Sequence, residues 1–146
     1  MKISVVIPAL NERIALPVLI SSLRAFESIQ EIIVADGGST DGTQEWCIRK
    51  PGILLVHSDT GKGRQINAGA AQATGDLLLF LHADSCLSSS AFRAMEDLIA
   101  SQDFAGGAFH VCFAGKRTAG LRMVEKGINL RTSIRHTATG DQGIFV

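Results

Sequence analysis

The sequence predicts an α/β protein: a mostly parallel sheet held between helical layers in a three-layer α/β/α sandwich, with a mixed C-terminal part. Short apolar runs alternate with helix-like stretches of about a dozen residues, the rhythm of parallel strands joined by right-handed crossovers. Two of those runs, Glu31–Ala35 and Leu77–Leu81, lead into Asp36-Gly-Gly-Ser-Thr-Asp41 and His82-Ala-Asp84-Ser85. Neighbouring parallel strands would bring those aspartates to one sheet edge, where α/β proteins bind nucleotides and metals. The chain has 146 residues, 46% of them apolar, which is enough for one domain with a sizeable core and too apolar for disorder.

Ile3–Ile7 is rich in β-branched residues and stops at Pro8, which reads as a buried first strand. Leu16, Leu19, Ile20, Leu23 and Phe26 then recur at helical spacing, with Pro17 admissible only in a first turn. Glu31–Ala35 is the second strand, and a Gly/Ser/Thr/Asp loop leads to a helix around Gln44–Ile48. Ile53–His57 follows as a third strand. The Ala-rich stretch Lys62–Thr74 is expected to be helical, with Ile66 and Ala70 on one face and Gly75 as its C-terminal cap. Leu77–Leu81 is the most apolar strand and so is placed centrally. Ser88-Ser-Ser90 offers an N-cap for a helix through Ile99, in which Phe92, Met95, Leu98 and Ile99 repeat at helical spacing. The tail departs from this rhythm: Gly106–Phe113 reads as a strand, Leu121–Leu130 as a basic amphipathic helix, and Gly143–Val146 as a strand that stops abruptly. An apolar last strand leaves a sheet edge bare. The expectation is a fragment or shortened chain, or an edge covered by a partner or a second copy.

Formal charge is zero, so the whole-chain field recruits neither nucleic acid nor membrane. The balance is uneven: residues 1–112 carry eight Lys/Arg against twelve Asp/Glu, a net of −4, and residues 113–146 carry six against two, a net of +4. A basic end can face phosphates, an anionic membrane surface, or the acidic remainder of its own fold. Cys47, Cys86 and Cys112 are widely spaced, with no CxxC pair, which fits a reduced, cytosolic compartment with the thiols as small core residues. The apolar N-terminal run meets Pro8 too soon for a signal peptide, and no stretch reaches the roughly 20 residues of a membrane span. The expected location is cytoplasmic, with peripheral membrane association as the alternative that the basic tail raises.

Asp84 follows an apolar strand and leaves a carboxylate free to bind a hard divalent cation, or equally to cap a turn. His82 shares its face and reads as a ligand, a phosphate donor or a satisfied edge histidine. In Asp36-Gly-Gly-Ser-Thr-Asp41-Gly-Thr43 the glycines permit close backbone approach to a ligand, and Asp36 can accept hydrogen bonds from a base or ribose. Asp41 reads as the cap of the next helix. Neither GxGxxG nor GxxxxGK[ST] is present, which counts against NAD enzymes and P-loop NTPases. In Gly61-Lys-Gly-Arg64-Gln-Ile-Asn67, Arg64 is a candidate for a diphosphate at a helix N-terminus, whereas Lys62 reads first as solvated charge.

Pro8-Ala9-Leu-Asn11-Glu12, Ala35-Asp-Gly-Gly-Ser-Thr-Asp-Gly-Thr43 and Leu81-His-Ala-Asp-Ser85, in that order and spacing, resemble the family-2 glycosyltransferases of the Rossmann-like GT-A fold. The resemblance covers essentially the whole chain. It implies that Pro8, Ala9, Asn11, Glu12 and Asp36 contact the nucleoside of a nucleotide-diphosphate sugar, and that Arg64 and Asn67 lie beside that nucleotide. It places His82 and Ala83 with the nucleotide too, in an Asp-x-Asp-like motif whose last member, Asp84, brings Mg²⁺ or Mn²⁺ to the diphosphate. His82 stands where that motif has its first aspartate, leaving one clear carboxylate for the metal. Thr139-Gly-Asp141-Gln142-Gly resembles the segment supplying the catalytic base, so Asp141 would deprotonate an acceptor hydroxyl during in-line attack with inversion. The implied organisation is a single domain over 1–146, with a nucleotide-binding half to about residue 100 and an incomplete acceptor side beyond it. The acceptor, whether saccharide, lipid or small molecule, is not legible. Two other readings stand beside this one: a sugar nucleotidyltransferase, disfavoured by Ala9-Leu-Asn-Glu12 where a Gly-rich basic loop is wanted, and a nucleotide-sugar-binding module without turnover.

Overall fold

The computed structural model describes residues 1–101, 106–110, 112, 118–135 and 142–146. Its elements are β1 (Ile3–Ala9), α1 (Ala15–Leu23), β2 (Ile29–Asp36), α2 (Thr43–Ile48), β3 (Ile53–His57), α3 (Lys62–Ala70), β4 (Leu77–Phe80), α4 (Ser89–Ala100), β5 (Gly107–Ala108), α5 (Ala119–Arg135) and β6 (Ile144–Phe145). One sheet runs in the order β3-β2-β1-β4-β6-β5. The pairs among β1 to β4 are parallel, and β6 is antiparallel to both β4 and β5. The expected α/β class and mixed C-terminal part are therefore both present.

Alternation along the strands builds the layers. Val5, Ile7, Ile32, Val34, Leu77 and Leu79 face α1 and α4, packing with Leu16, Leu19, Ile20, Leu23, Phe92 and Met95, and Cys47 of α2 joins that side. The intervening residues face α3, which approaches so closely that a Cβ on Gly69 would lie 2.5 Å from Val6 Cγ1 and 3.5 Å from Ala35 Cβ. Burial of these branched side chains, each worth about 1.5–3 kcal/mol, holds the layers together.

Several boundaries differ from the sequence reading. β1 runs on through Pro8 and Ala9, because its ladder with β4 ends at Val6↔Phe80 and the missing proline N–H costs nothing beyond that point. Helix α3 ends at Ala70, and its buried residues are Gln65 and Gly69; Ile66 and Ala70 are only half-buried. Gly75 is not its cap. It is pressed against β1, where a Cβ would lie 2.5 Å from Ser4 Oγ and 2.7 Å from the Lys2 carbonyl oxygen, and its amide donates to Ser4 Oγ at 2.8 Å.

The expected bare edge at the last strand is also corrected. β6 lies inside the sheet, with Phe145 opposite Leu79 on one side and Gly107 on the other. Phe145 is 5% exposed. Its ring fills the place of a side chain at Gly107, where a Cβ would lie 2.5 Å from Phe145 Cζ. β5 is only two residues long, and part of the longer strand expected there lies outside the described residues. No helix among the described residues is long and apolar enough to cross a membrane.

Candidate functional site

The strand register sets the site. Ala9 pairs with Asp36, and Asp36 with His57, so the ends of β1, β2 and β3 lie level at the C-terminal edge of the sheet. The loops leaving β1 and β2 are tied together there. Asn11, at φ 59°, donates its amide to Ser39 Oγ at 2.8 Å and accepts the Thr40 amide on Oδ1 at 2.8 Å. The Glu12 amide donates to Thr43 Oγ1 and the Arg13 amide to Asp41 Oδ2, both at 3.0 Å. Asp41 is not the cap expected of it: the N-cap of α2 is Gly42, without a side-chain cap bond, and Asp41, one residue earlier, accepts the Thr43 amide at 3.0 Å and the Thr43 hydroxyl at 2.5 Å on Oδ1. The Thr43 hydroxyl, followed by the Arg13 and Thr43 amides, holds the Asp41 carboxyl below its ordinary range.

Asp36 ends β2 and is 1% exposed. Its Oδ2 accepts the amides of Gly38 and Ser39, each at 2.9 Å, and Gln44 Nε2 at 2.7 Å. Its Oδ1 is buried and has no hydrogen-bond partner among the described residues. Burial alone would push this carboxyl up, but hydrogen bonds from Ser39, Gly38 and Gln44 outweigh it and hold the group ionised below the usual carboxylate range. Of the three cysteines expected in the core only Cys47 is buried, and Cys86 and Cys112 are exposed; Cys47 lies near Asp36, and burial first, then the Asp36 charge, pushes its thiol up to about 11.

A cleft of about 530 Å³ opens beside these loops, bordered by Pro8 of β1, Glu12 in the loop after it, Lys62 from α3, and His82, Ala83 and Asp84 after β4. Phe109 and Gln142 close its far side. Glu12 is half-buried. Desolvation, then the charges of Asp84 and Asp41, push its carboxyl up, and His82 partly offsets them. Asp84 itself is exposed.

Among the described residues, no group of three or more His, Cys, Asp or Glu side chains is gathered to hold a metal. This donor set is too small for a protein-built cage. It suits instead a hard cation that takes one carboxylate from Asp84 and its remaining oxygens from a diphosphate and water, the usual habit of Mg²⁺.

The predicted residues separate into groups. Pro8, Glu12, His82, Ala83 and Asp84 border one cleft. Ala9 and Asp36 lie level with each other at the sheet edge beside it, and Asn11 ties the two loops. Arg64 and Asn67 are exposed on α3 and do not border the cleft; Arg64 Nη1 pairs with Asp59 Oδ2 at 3.5 Å. Their places at the cleft wall are taken by Lys62 and Gln65. Gln65, which sequence reasoning passed over, is 4% exposed and donates from Nε2 to the carbonyls of Ala9 at 2.7 Å and Ala35 at 3.0 Å. Its spacing puts it on one helical face with Gly69, but nothing in the sequence marks that face as the one against the sheet. Gln44 was missed likewise. Asp141 lies outside the described residues.

Residues 4–144 match the family described as Glycosyl transferase family 2. A PGL/p-HBAD biosynthesis glycosyltransferase of Mycobacterium bovis is 40% identical over 91 residues, which cover 58% of this chain and 36% of that protein. The chain thus spans about a third of the length of the curated relatives it matches. In structure it is similar to a mannosyltransferase from Pyrobaculum calidifontis in complex with GDP-Man and Mn²⁺, with TM-score 0.70 and 20% identity over 99% of this chain and 44% of that one. It is also similar to glucosyl-3-phosphoglycerate synthase from Mycobacterium tuberculosis in complex with Mn²⁺, UDP and glucosyl-3-phosphoglycerate, with TM-score 0.66 and 23% identity over 98% and 56% of the two chains.

Proposed function

This chain belongs to glycosyl transferase family 2, and on that premise we propose that it transfers a sugar from a nucleotide-diphosphate sugar to an acceptor hydroxyl, with inversion and with a divalent cation. The observation that supports this most is Asp36. Its ionised carboxylate, at the end of β2, spends Oδ2 on three donors and leaves Oδ1 with no partner among the described residues, which keeps acceptor capacity at the strand end. A ribose hydroxyl or a base N–H at the end of β2 matches that capacity.

In this reading Asp36 and the Pro8–Glu12 segment hold the nucleoside, and the diphosphate lies in the cleft toward His82, Ala83 and Asp84. Lys62 at the start of α3 adds positive charge there, joined by the helix N-terminus. Asp84 would hold Mg²⁺ or Mn²⁺, which when bound neutralises charge on the leaving diphosphate. Asp141 accepts the proton of the acceptor hydroxyl as its oxygen bonds to the anomeric carbon and the bond from that carbon to the diphosphate breaks. A carboxylate is the kind of general base that such a proton transfer uses. Gln142 and Gly143, the residues that follow Asp141, border the cleft.

The test is titration of UDP, GDP and dTDP with and without Mn²⁺, followed by an assay of donor hydrolysis and transfer. Metal-dependent binding of one nucleotide is expected, with the metal dependence lost in Asp84→Asn. Asp141→Asn should lose turnover and keep nucleotide binding. Absence of metal-dependent nucleotide binding overturns the reading, and binding without any turnover in the unmodified chain leaves a binding module.

A further inference from the structure

We infer that Gln65 is the positioning residue of the nucleoside subsite: its side-chain amide, reaching from α3, fixes the spacing of the two strand ends at Ala9 and Asp36. The inference rests on reading this edge as the donor site. The ladder between β1 and β2 ends at Ala9↔Asp36, and the next ties between the two chains are those of Asn11, Glu12 and Arg13 in the loops beyond. Gln65 Nε2 spans that point, donating to the Ala9 carbonyl at 2.7 Å and the Ala35 carbonyl at 3.0 Å. An amide nitrogen has two hydrogens, so both are used. Because both partners are acceptors, the amide is held in one orientation.

Gly37 completes the device. Its own amide donates to the same Ala9 carbonyl at 2.9 Å. A Cβ at this position would lie 3.0 Å from Gln65 Cδ and 3.1 Å from Nε2. Gly37 is not among the glycines with positive φ, so space for the Gln65 amide, rather than backbone freedom, is what calls for glycine. The next two amides, of Gly38 and Ser39, are those that grip Asp36 Oδ2. Gln65, Gly37 and Asp36 therefore form one chain of contacts, running from the cleft wall to the carboxylate.

Two variants displace the amide in different ways. Gln65→Met keeps the length and removes the donors; Gly37→Ala keeps Gln65 and pushes its amide aside. Each should weaken binding of UDP, GDP or dTDP in the presence of Mn²⁺ by about tenfold, the scale of one or two lost hydrogen bonds, and leave binding of inorganic diphosphate with Mn²⁺ unchanged within about twofold. The double variant should be no worse than the weaker single one, since both break the same link. Without ligand, amide hydrogen exchange should quicken at Gly37, Gly38 and Ser39 in both. Unchanged exchange at those amides overturns the inference, as does a parallel loss of inorganic diphosphate binding. If the unmodified chain binds none of the three nucleotides, the donor-site reading fails and the inference with it; if it binds one and exchange at those amides is unchanged in the variants, the inference alone fails.

Discussion

Asp36 was legible in the sequence as an aspartate ending an apolar run, but its physical state was not. Its charge is buried, and the three donors on Oδ2 come from the loop that follows and from Gln44 on α2. Replacing it by Asn turns one acceptor into a donor facing other donors, and should cost about 1–3 kcal/mol in urea unfolding at pH 7. The pH dependence has a definite sign. The folded pKa lies below the ordinary value, so this stabilisation is complete above about pH 4 and is lost as pH falls through the folded value. The stability difference between the unmodified chain and Asp36→Asn should therefore shrink on going from pH 7 to pH 3. Arg64 shows the converse: its charge and its place near a helix N-terminus suggested a diphosphate contact, yet a rotation of about 100° per residue sends it outward and sends Gln65 in.

Among the elements, α3 shows how a helix is seated on a sheet. Gly69 is the contact point, and alanine there sets two effects against each other. Helix propensity favours Ala over Gly by about 1 kcal/mol, whereas a Cβ 2.5 Å from Val6 Cγ1 overpacks a dense interior at a cost of about 1–3 kcal/mol. Overpacking should win. Gly69→Ala is expected to lower the urea midpoint without changing the slope, and Gly69→Val to lower it further. Periodicity located this helix and set Ile66 and Ala70 on one face, whereas the face that meets the sheet is one residue earlier, at Gln65 and Gly69. The reading weighted apolar side chains, while the surface of β1 and β2 leaves room at that contact only for a glycine and a polar amide that can serve strand-end carbonyls. Gly75 misled for a related reason: a glycine after a helix suggests a cap, but here close approach to Ser4 and Lys2 required it.

At the scale of the whole molecule, β6 joins the parallel sheet to its antiparallel extension. Phe145 is the anchor, opposite Leu79 and over Gly107, with its ring centroid 5.5 Å from that of Phe109. Phe145→Ala should destabilise the chain by about 3–5 kcal/mol in urea unfolding. Because Phe109, Gln142 and Gly143 border the cleft, it should also weaken nucleotide binding. By itself the sequence determined the α/β class, the order of the parallel strands' own residues along the chain, and the aspartates at their ends, since local periodicity and strand-ending residues are short-range signals. Tertiary structure alone decided that the last strand inserts beside β4, that Gln65 rather than Arg64 borders the cleft, and that Asp36 Oδ1 is buried with no partner among the described residues. Those outcomes depend on which distant backbone groups remain unpaired once the layers close, and no local pattern records that.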